Sequence, residues 1–348
     1  MRIASATHRA YTQLTRDKWP ALYTMRLVGV LLIFIYHAWG LAGDPVIVLR
    51  LGFTTADLTG IFRASALGTT FVFVLAGFFN YLPYERAQLR GQPLPPTALF
   101  MKRRLLRIVP LYYCSLVVGI IMSGGISWIN QPGALVGTLA SFGFVQSFLA
   151  HPYTPLGGNW AVQAVAQFYV LVPLIARLMV HHRWYIAVGF ILIAVVAYRA
   201  YIGQPGFDTF FLEHQLWPRL DQFLIGMLAA KIVARSERRG GMSNVAKLCG
   251  VGACALLTAI FIVMMQESSW QVGTNFTWLL ARMIFALAIS SGIIYLVCTP
   301  HAVVQRVATH KLLVQWVPLA TAYSCGTILS SMRSINNNGT WLSSRLIG

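Results

Sequence analysis

The chain has 348 residues, of which 57% are hydrophobic and only 10% charged, and its mean hydropathy is +0.65. A soluble domain carries about 25% charge, so the composition excludes an ordinary water-soluble globule and points to a surface covered largely by lipid. The formal charge of +18 would suit a phosphate-rich partner on composition alone, but the basic residues cluster between apolar runs. The positive-inside bias of membrane proteins accounts for that pattern, and a nucleic-acid partner is not expected.

Met1–Pro20 is polar and basic, with no cleavable leader expected before a first apolar run long enough to remain as an anchor. A crossing of about 30 Å needs roughly 20 predominantly apolar residues in a helix. Nine stretches read as helical crossings: Leu27–Leu41, Gly68–Leu82, Ile108–Met122, Ala161–Val180, Trp184–Tyr198, Phe223–Ala234, Val245–Met265, Trp278–Cys298 and Leu312–Met332. A tenth, Ala134–Ala150, is apolar but interrupted by Gly137, Gly143 and Gln146. Basic clusters occupy the N-terminal arm (Arg2, Arg9, Arg16, Lys18), Arg86–Arg107, His181–Arg183, Lys231–Lys247 and Arg306–Lys311. All five share one side only if Ala134–Ala150 does not cross fully, so that segment is expected to be re-entrant or interfacial. The loops Tyr84–Lys102 and Arg235–Lys247 then face the cytoplasm with the N-terminus, and the C-terminus lies outside. The expected fold class is all-α, a polytopic transmembrane bundle of about nine or ten helices. It divides into a basic cytoplasmic arm (1–24), a transmembrane domain (25–333) and a polar tail (334–348). Cys114, Cys249, Cys254, Cys298 and Cys325 show no metal-ligand spacing, so neither a disulfide framework nor a metal site is expected.

Polar residues inside apolar spans are the functional candidates, because lipid makes them costly. Arg26 and His37 are eleven residues apart, which is three turns with about 20° left over. Both therefore lie on one helix face, roughly 16 Å apart along the axis. In FMKRRLLRIVPLYY, Arg103, Arg104 and Arg107 crowd one face at spacings of three and four. Lys102 and Arg103 read as a positive-inside stop, whereas Arg107 begins the apolar run, where a planar fork of donors suits phosphate. Gly77, in GTTFVFVLAGFFNYL, permits a close helix approach and reads first as packing. Trp160, Gln163, Gln167 and Tyr169 place aromatic and amide groups near a membrane face. Gln163 and Gln167, four apart, form one stripe.

These features occur in a definite order: R-X10-H at Arg26 and His37, G-F-F at Gly77, R-L-L-R-I-V-P-L-Y-Y from Arg104, N-W-x(6)-Q-F-Y-x-L-x-P from Asn159, and R-L-D-Q-F-L-I-G-M-L from Arg219. In that order they resemble the integral-membrane acyltransferase family type 3, which includes polysaccharide O-acetylases and macrolide acyltransferases. The resemblance covers roughly Arg26 to Ala230, and weakly Ala322–Ser324. It implies that His37 is the catalytic group, that Arg26, Arg104 and Arg107 bind an acyl-coenzyme A donor, and that a carbohydrate or lipid-linked glycan hydroxyl is the acceptor. Trp160, Gln163, Gln167 and Tyr169 are the candidate acceptor-binding residues. No cofactor is bound permanently, acyl-coenzyme A (acetyl-coenzyme A by preference) being a co-substrate, and the setting is a bacterial inner membrane. The residues agree with this: several arginines at a cytoplasmic mouth suit the phosphates of coenzyme A, and a histidine deep in a span suits proton transfer at neutral pH. Two positions depart from the family. Val165 and Ala166 stand where acidic residues are usual, and Ala322–Leu329 lacks the usual second tyrosine and histidine of the final helix. The alternative is a degenerate family member or a transporter that binds an acyl donor or glycan without transferring the acyl group.

Overall fold

Apolar runs bounded by glycine, proline and basic turns fold as long helices, and a computed structural model describes residues 19–52, 54–149, 160–204, 206–207, 209–266 and 276–299. Helix α1 (Pro20–Leu41) opens on a proline in its first turn, where a missing N–H costs nothing. A two-stranded antiparallel hairpin follows, β1 (Val48–Leu51) with β2 (Thr54–Asp57), and then the short helix α2 (Thr59–Ala64). The long helices α3 (Gly68–Leu89) and α4 (Thr97–Met122) come next. A short helix α5 (Ala134–Phe142) leads to α6 (Trp160–Val180), α7 (Trp184–Ile202) and one more short helix, α8 (Thr209–Glu213). Three long helices complete the described chain: α9 (Leu220–Arg238), α10 (Asn244–Gln266) and α11 (Phe276–Cys298).

Among the described residues six segments are long and apolar enough to cross a membrane: Ala21–Leu41, Thr59–Leu89, Thr97–Met122, Trp160–Val180, Trp184–Ile202 and Ala281–Cys298. The protein is thus an all-α, multi-pass membrane bundle. The expected span Leu312–Met332, residues 1–18 of the basic arm and the polar tail lie outside the described residues. So do Arg306–Lys311 and the motif residues Asn159 and Ala322–Ser324. The rest of the arm caps and begins α1. Segment α5 is nine residues long, about 14 Å of helix, too short for a bilayer core. It lies against α4, where Tyr112 and Tyr113 donate to the carbonyls of Ser141 (3.0 Å) and Phe142 (2.9 Å).

The expected loop Tyr84–Lys102 is shorter than its charge suggests. Helix α3 runs through Pro83 to Leu89, and α4 starts at Thr97. Glu85 and Arg86 stay helical because α9 supplies partners for their charges. Lys231 Nζ donates to Glu85 Oε2 (2.8 Å), Tyr81 Oη (3.1 Å) and the Met179 carbonyl (2.6 Å), while Arg235 Nε takes Glu85 Oε1 (2.9 Å). Arg86 forks onto Glu237 at 3.0 and 2.7 Å and lies over the Trp19 ring. Trp19, Arg86 and Glu237 mark the basic end of the bundle, and the opposite end is its distal end.

The core is the crossing of α3 and α9. A Cβ added at Gly77 would strike the Phe223 carbonyl, and one at Gly226 would strike the Val74 carbonyl. The two glycines therefore bring the backbones together reciprocally, as small residues do between membrane helices. Phe223 fills the adjoining space, with Phe168 stacked at 4.0 Å and Phe73 at 4.8 Å. Outward faces are apolar and exposed, as Tyr185, Ile186, Phe190 and Ile193 are on α7, which is the pattern of lipid contact.

Candidate active site

Helix α1 carries the Arg26 and His37 stripe, and its neighbour α3 fixes how that stripe sits. Gly68 meets Ile33 and Gly29, and a Cβ on Gly68 would lie 2.8 Å from the Ile33 nitrogen. Ile33 and His37 are one turn apart, so the imidazole is carried on the side of α1 that meets α3. His37 is half-buried and touches the Tyr36 ring edge-on at 5.6 Å. Among the described residues no hydrogen-bond partner holds either ring nitrogen, and no carboxylate orients it.

Arg26 is two turns into α1 rather than at its very start. It is half-buried and within electrostatic range of Arg107 of α4 and Tyr169 of α6. Among the described residues neither Arg26 nor Arg107 forms an ion pair. Two guanidiniums within electrostatic range of each other and without a carboxylate partner suit an anion. Arg104 is used differently: its Nη2 donates to the Phe79 carbonyl at 3.3 Å and its guanidinium lies over the Phe100 ring at 5.6 Å. Phe100 also meets Tyr169 edge-on at 6.4 Å, so one aromatic pair joins both arginine positions. Arg26, Arg104, Arg107 and Tyr169 thus converge at the basic side of the bundle.

The glutamine stripe holds the short segment in place. Gln163 is fully buried: its Nε2 donates to Gln146 Oε1 (2.7 Å) and Tyr112 Oη (3.1 Å), and its Oε1 accepts the Ser147 N–H (3.3 Å). Gln167 Nε2 donates to the Phe144 carbonyl (2.8 Å) and Ser147 Oγ (2.9 Å), while its buried Oε1 has no partner. Phe144 sits in the left-handed region at φ 57°. Its ring stacks on Tyr112 at 4.6 Å, which holds this costly conformation in place. Val165 and Ala166, at the family's acidic positions, are both buried. Trp160 belongs to the distal end, edge-on to His214 at 4.5 Å and beneath Arg219 at 5.2 Å.

That distal end holds a buried charge cluster that sequence reasoning missed. Glu213 Oε2 pairs with Arg282 Nη1 (3.0 Å) and Arg219 Nη2 (3.7 Å), and Arg199 Nη2 pairs with Asp221 Oδ1 (2.7 Å) and also holds the Pro218 carbonyl. Arg282 lies within electrostatic range of Tyr36, next to His37. The available signal was an arginine seated inside an apolar run, at both Arg199 and Arg282. Asp221, one of two acids that could stand in for the acidic residue the family usually has at Val165 or Ala166, is committed to Arg199. Asp44, the other, lies in the loop after α1, where partial desolvation pushes its carboxyl up against the opposing pull of Arg63.

No curated protein and no solved structure matches the chain. A family profile described as an acyltransferase domain, type 3, matches residues 19–329. That match takes in both the arginine mouth and the His37 turn, and with it the chain belongs to the type 3 acyltransferase family.

Proposed function

We propose that the protein transfers an acyl group, acetyl by preference, from acyl-coenzyme A to a hydroxyl of a carbohydrate or lipid-linked glycan in a bacterial inner membrane. In this reading the basic end faces the cytoplasm. The observation that carries it is the pair Arg26 and Arg107, two guanidiniums within electrostatic range of each other, neither of which forms an ion pair among the described residues. Such a pair suits the phosphates of coenzyme A, with Arg104 beside it. The reach from Arg26 to His37, roughly 16 Å along one face, suits a pantetheine arm. His37 then takes the proton of the acceptor hydroxyl, and the hydroxyl oxygen attacks the thioester carbonyl. The new C–O ester bond forms, the C–S bond breaks, and the departing thiolate receives the proton from the imidazolium. Trp160 and the buried, unpartnered Oε1 of Gln167 are the aromatic and polar groups best left for an acceptor, since Gln163 is committed within the protein.

The test is thiol release from acetyl-coenzyme A by purified protein with a glycan extract as acceptor, for the wild type and for His37→Gln. Release by the wild type and its loss in the variant support the reading. Equal release by both would remove His37 from the chemistry. A second reading, a degenerate donor-binding protein, is favoured by one observation: the apolar, buried Val165 and Ala166 leave His37 without a family carboxylate. Donor binding without thiol release under any acceptor would decide for it.

A further inference from the structure

Between the last turns of α3 and α9 a cavity of about 330 Å³ is lined by Leu89, Arg235, Arg238 and Arg239. We propose that this cavity is a second anion site, one that takes a phosphate group, separate from the Arg26 and Arg107 pair. The reason is a shortage of carboxylates. The chain has nine acidic residues in all, and the two described at the basic end are both engaged. Glu85 is shared between Lys231 and Arg235, and Glu237 is held by Arg86. Arg238 and Arg239 have no acidic partner among the described residues. Five cations, Arg86, Lys231, Arg235, Arg238 and Arg239, therefore meet two carboxylates.

Two helix C-termini point here, and each offers about half a negative charge, which leaves the excess positive. A positive-inside bias asks for basic residues on one side of the membrane, but it does not require three guanidiniums around one concavity. Gly240 (φ 80°) and Gly241 (φ 118°) turn the chain back at this point, with the Gly241 N–H on the Ser236 carbonyl at 2.9 Å, so the arginines are carried by a closed helix end. The fork of a guanidinium fits phosphate oxygens, and Leu89 gives the cavity an apolar wall. Phosphate of this kind comes from two sources: the headgroup of an anionic phospholipid, or the ribose phosphate of coenzyme A. The site does not depend on acyl transfer.

Full-length protein in neutral detergent is titrated with adenosine 3′,5′-bisphosphate by calorimetry. In parallel, retention of dioleoyl phosphatidylglycerol against dioleoyl phosphatidylcholine is counted by native mass spectrometry. Both are repeated on R238Q/R239Q, and on R238K/R239K to separate a folding defect from loss of the site. Charge-assisted hydrogen bonds to phosphate predict at least about a tenfold loss of binding in R238Q/R239Q, with partial recovery in R238K/R239K. Loss confined to phosphatidylglycerol identifies a lipid headgroup, and loss confined to the bisphosphate identifies the nucleotide. Wild-type protein that binds neither probe, or R238Q/R239Q that binds both within about twofold of wild type, overturns the proposal. Arg26→Gln, which alters the other pair, should leave phosphatidylglycerol retention unchanged.

Discussion

His37 and Arg107 are separable by experiment because one is asked to move a proton and the other to hold an anion. General base catalysis contributes about 10²–10⁴-fold, so His37→Gln should lower turnover by at least a hundredfold while the donor still binds. A loss smaller than tenfold would assign the imidazole a structural role. Arg107→Ala should raise the apparent donor KM about tenfold with little change in acceptor KM, and Arg107→Lys should recover only part of it, since an ammonium lacks the planar fork. A parallel rise in both constants would indicate misfolding instead. The R-X10-H spacing made the shared face of Arg26 and His37 legible, because helical period alone fixes it. The proximity of Arg26 to Arg107 and of Arg282 to Tyr36 was not legible, because it depends on which helices pack together.

Segment α5 and the crossing of α3 with α9 each rest on a few side chains. Gln163→Ala would leave Gln146, Tyr112 and the Ser147 N–H without their buried partner, at a cost of about 1–3 kcal/mol. The thermal midpoint in detergent should fall accordingly, and a midpoint within a degree of wild type would mean that the amide chain does not tether the segment. At nine residues α5 is too short to span a bilayer core as a helix, in an apolar stretch interrupted by Gly137 and Gly143. Composition marked the interruption, but only the tethers to α4 and α6 show where the segment goes. The Tyr84–Lys102 stretch teaches the converse. Its charges suggested a loop, yet Glu85 and Arg86 remain helical because Lys231, Arg235 and Glu237 sit about 150 residues away in sequence and beside them in space. Glu85→Gln should therefore cost about 3–5 kcal/mol, the range for breaking a buried pair, readable as loss of folded protein in size-exclusion chromatography. Full recovery of monodisperse protein would show that Lys231 finds another partner.

Among the described residues the basic side chains without an acidic partner gather mainly at the basic end, while the distal arginines are paired with Glu213 and Asp221, and cysteines introduced near Gln92 and near Gly241 should resist a membrane-impermeant thiol reagent in intact cells. Strong labelling of either position would invert the assignment of the donor side. The all-α membrane class was legible from apolar runs and scarce charge, and the family from the order of short motifs. The distal arginine cluster and the arginine-lined cavity were not, since each joins residues from helices far apart in the chain. The reciprocal contact of Gly77 with Phe223 and Gly226 with Val74 also bears on how the protein is made. Helix α3 leaves the ribosome long before α9 and must wait in lipid for the groove-filling partner that completes it, while α4, α6 and α7 are inserted first. Nascent chains halted before Leu220 should hold α3 in the membrane without its mate, open to chaperones and quality-control proteases. Chains released only after Arg238 should escape them.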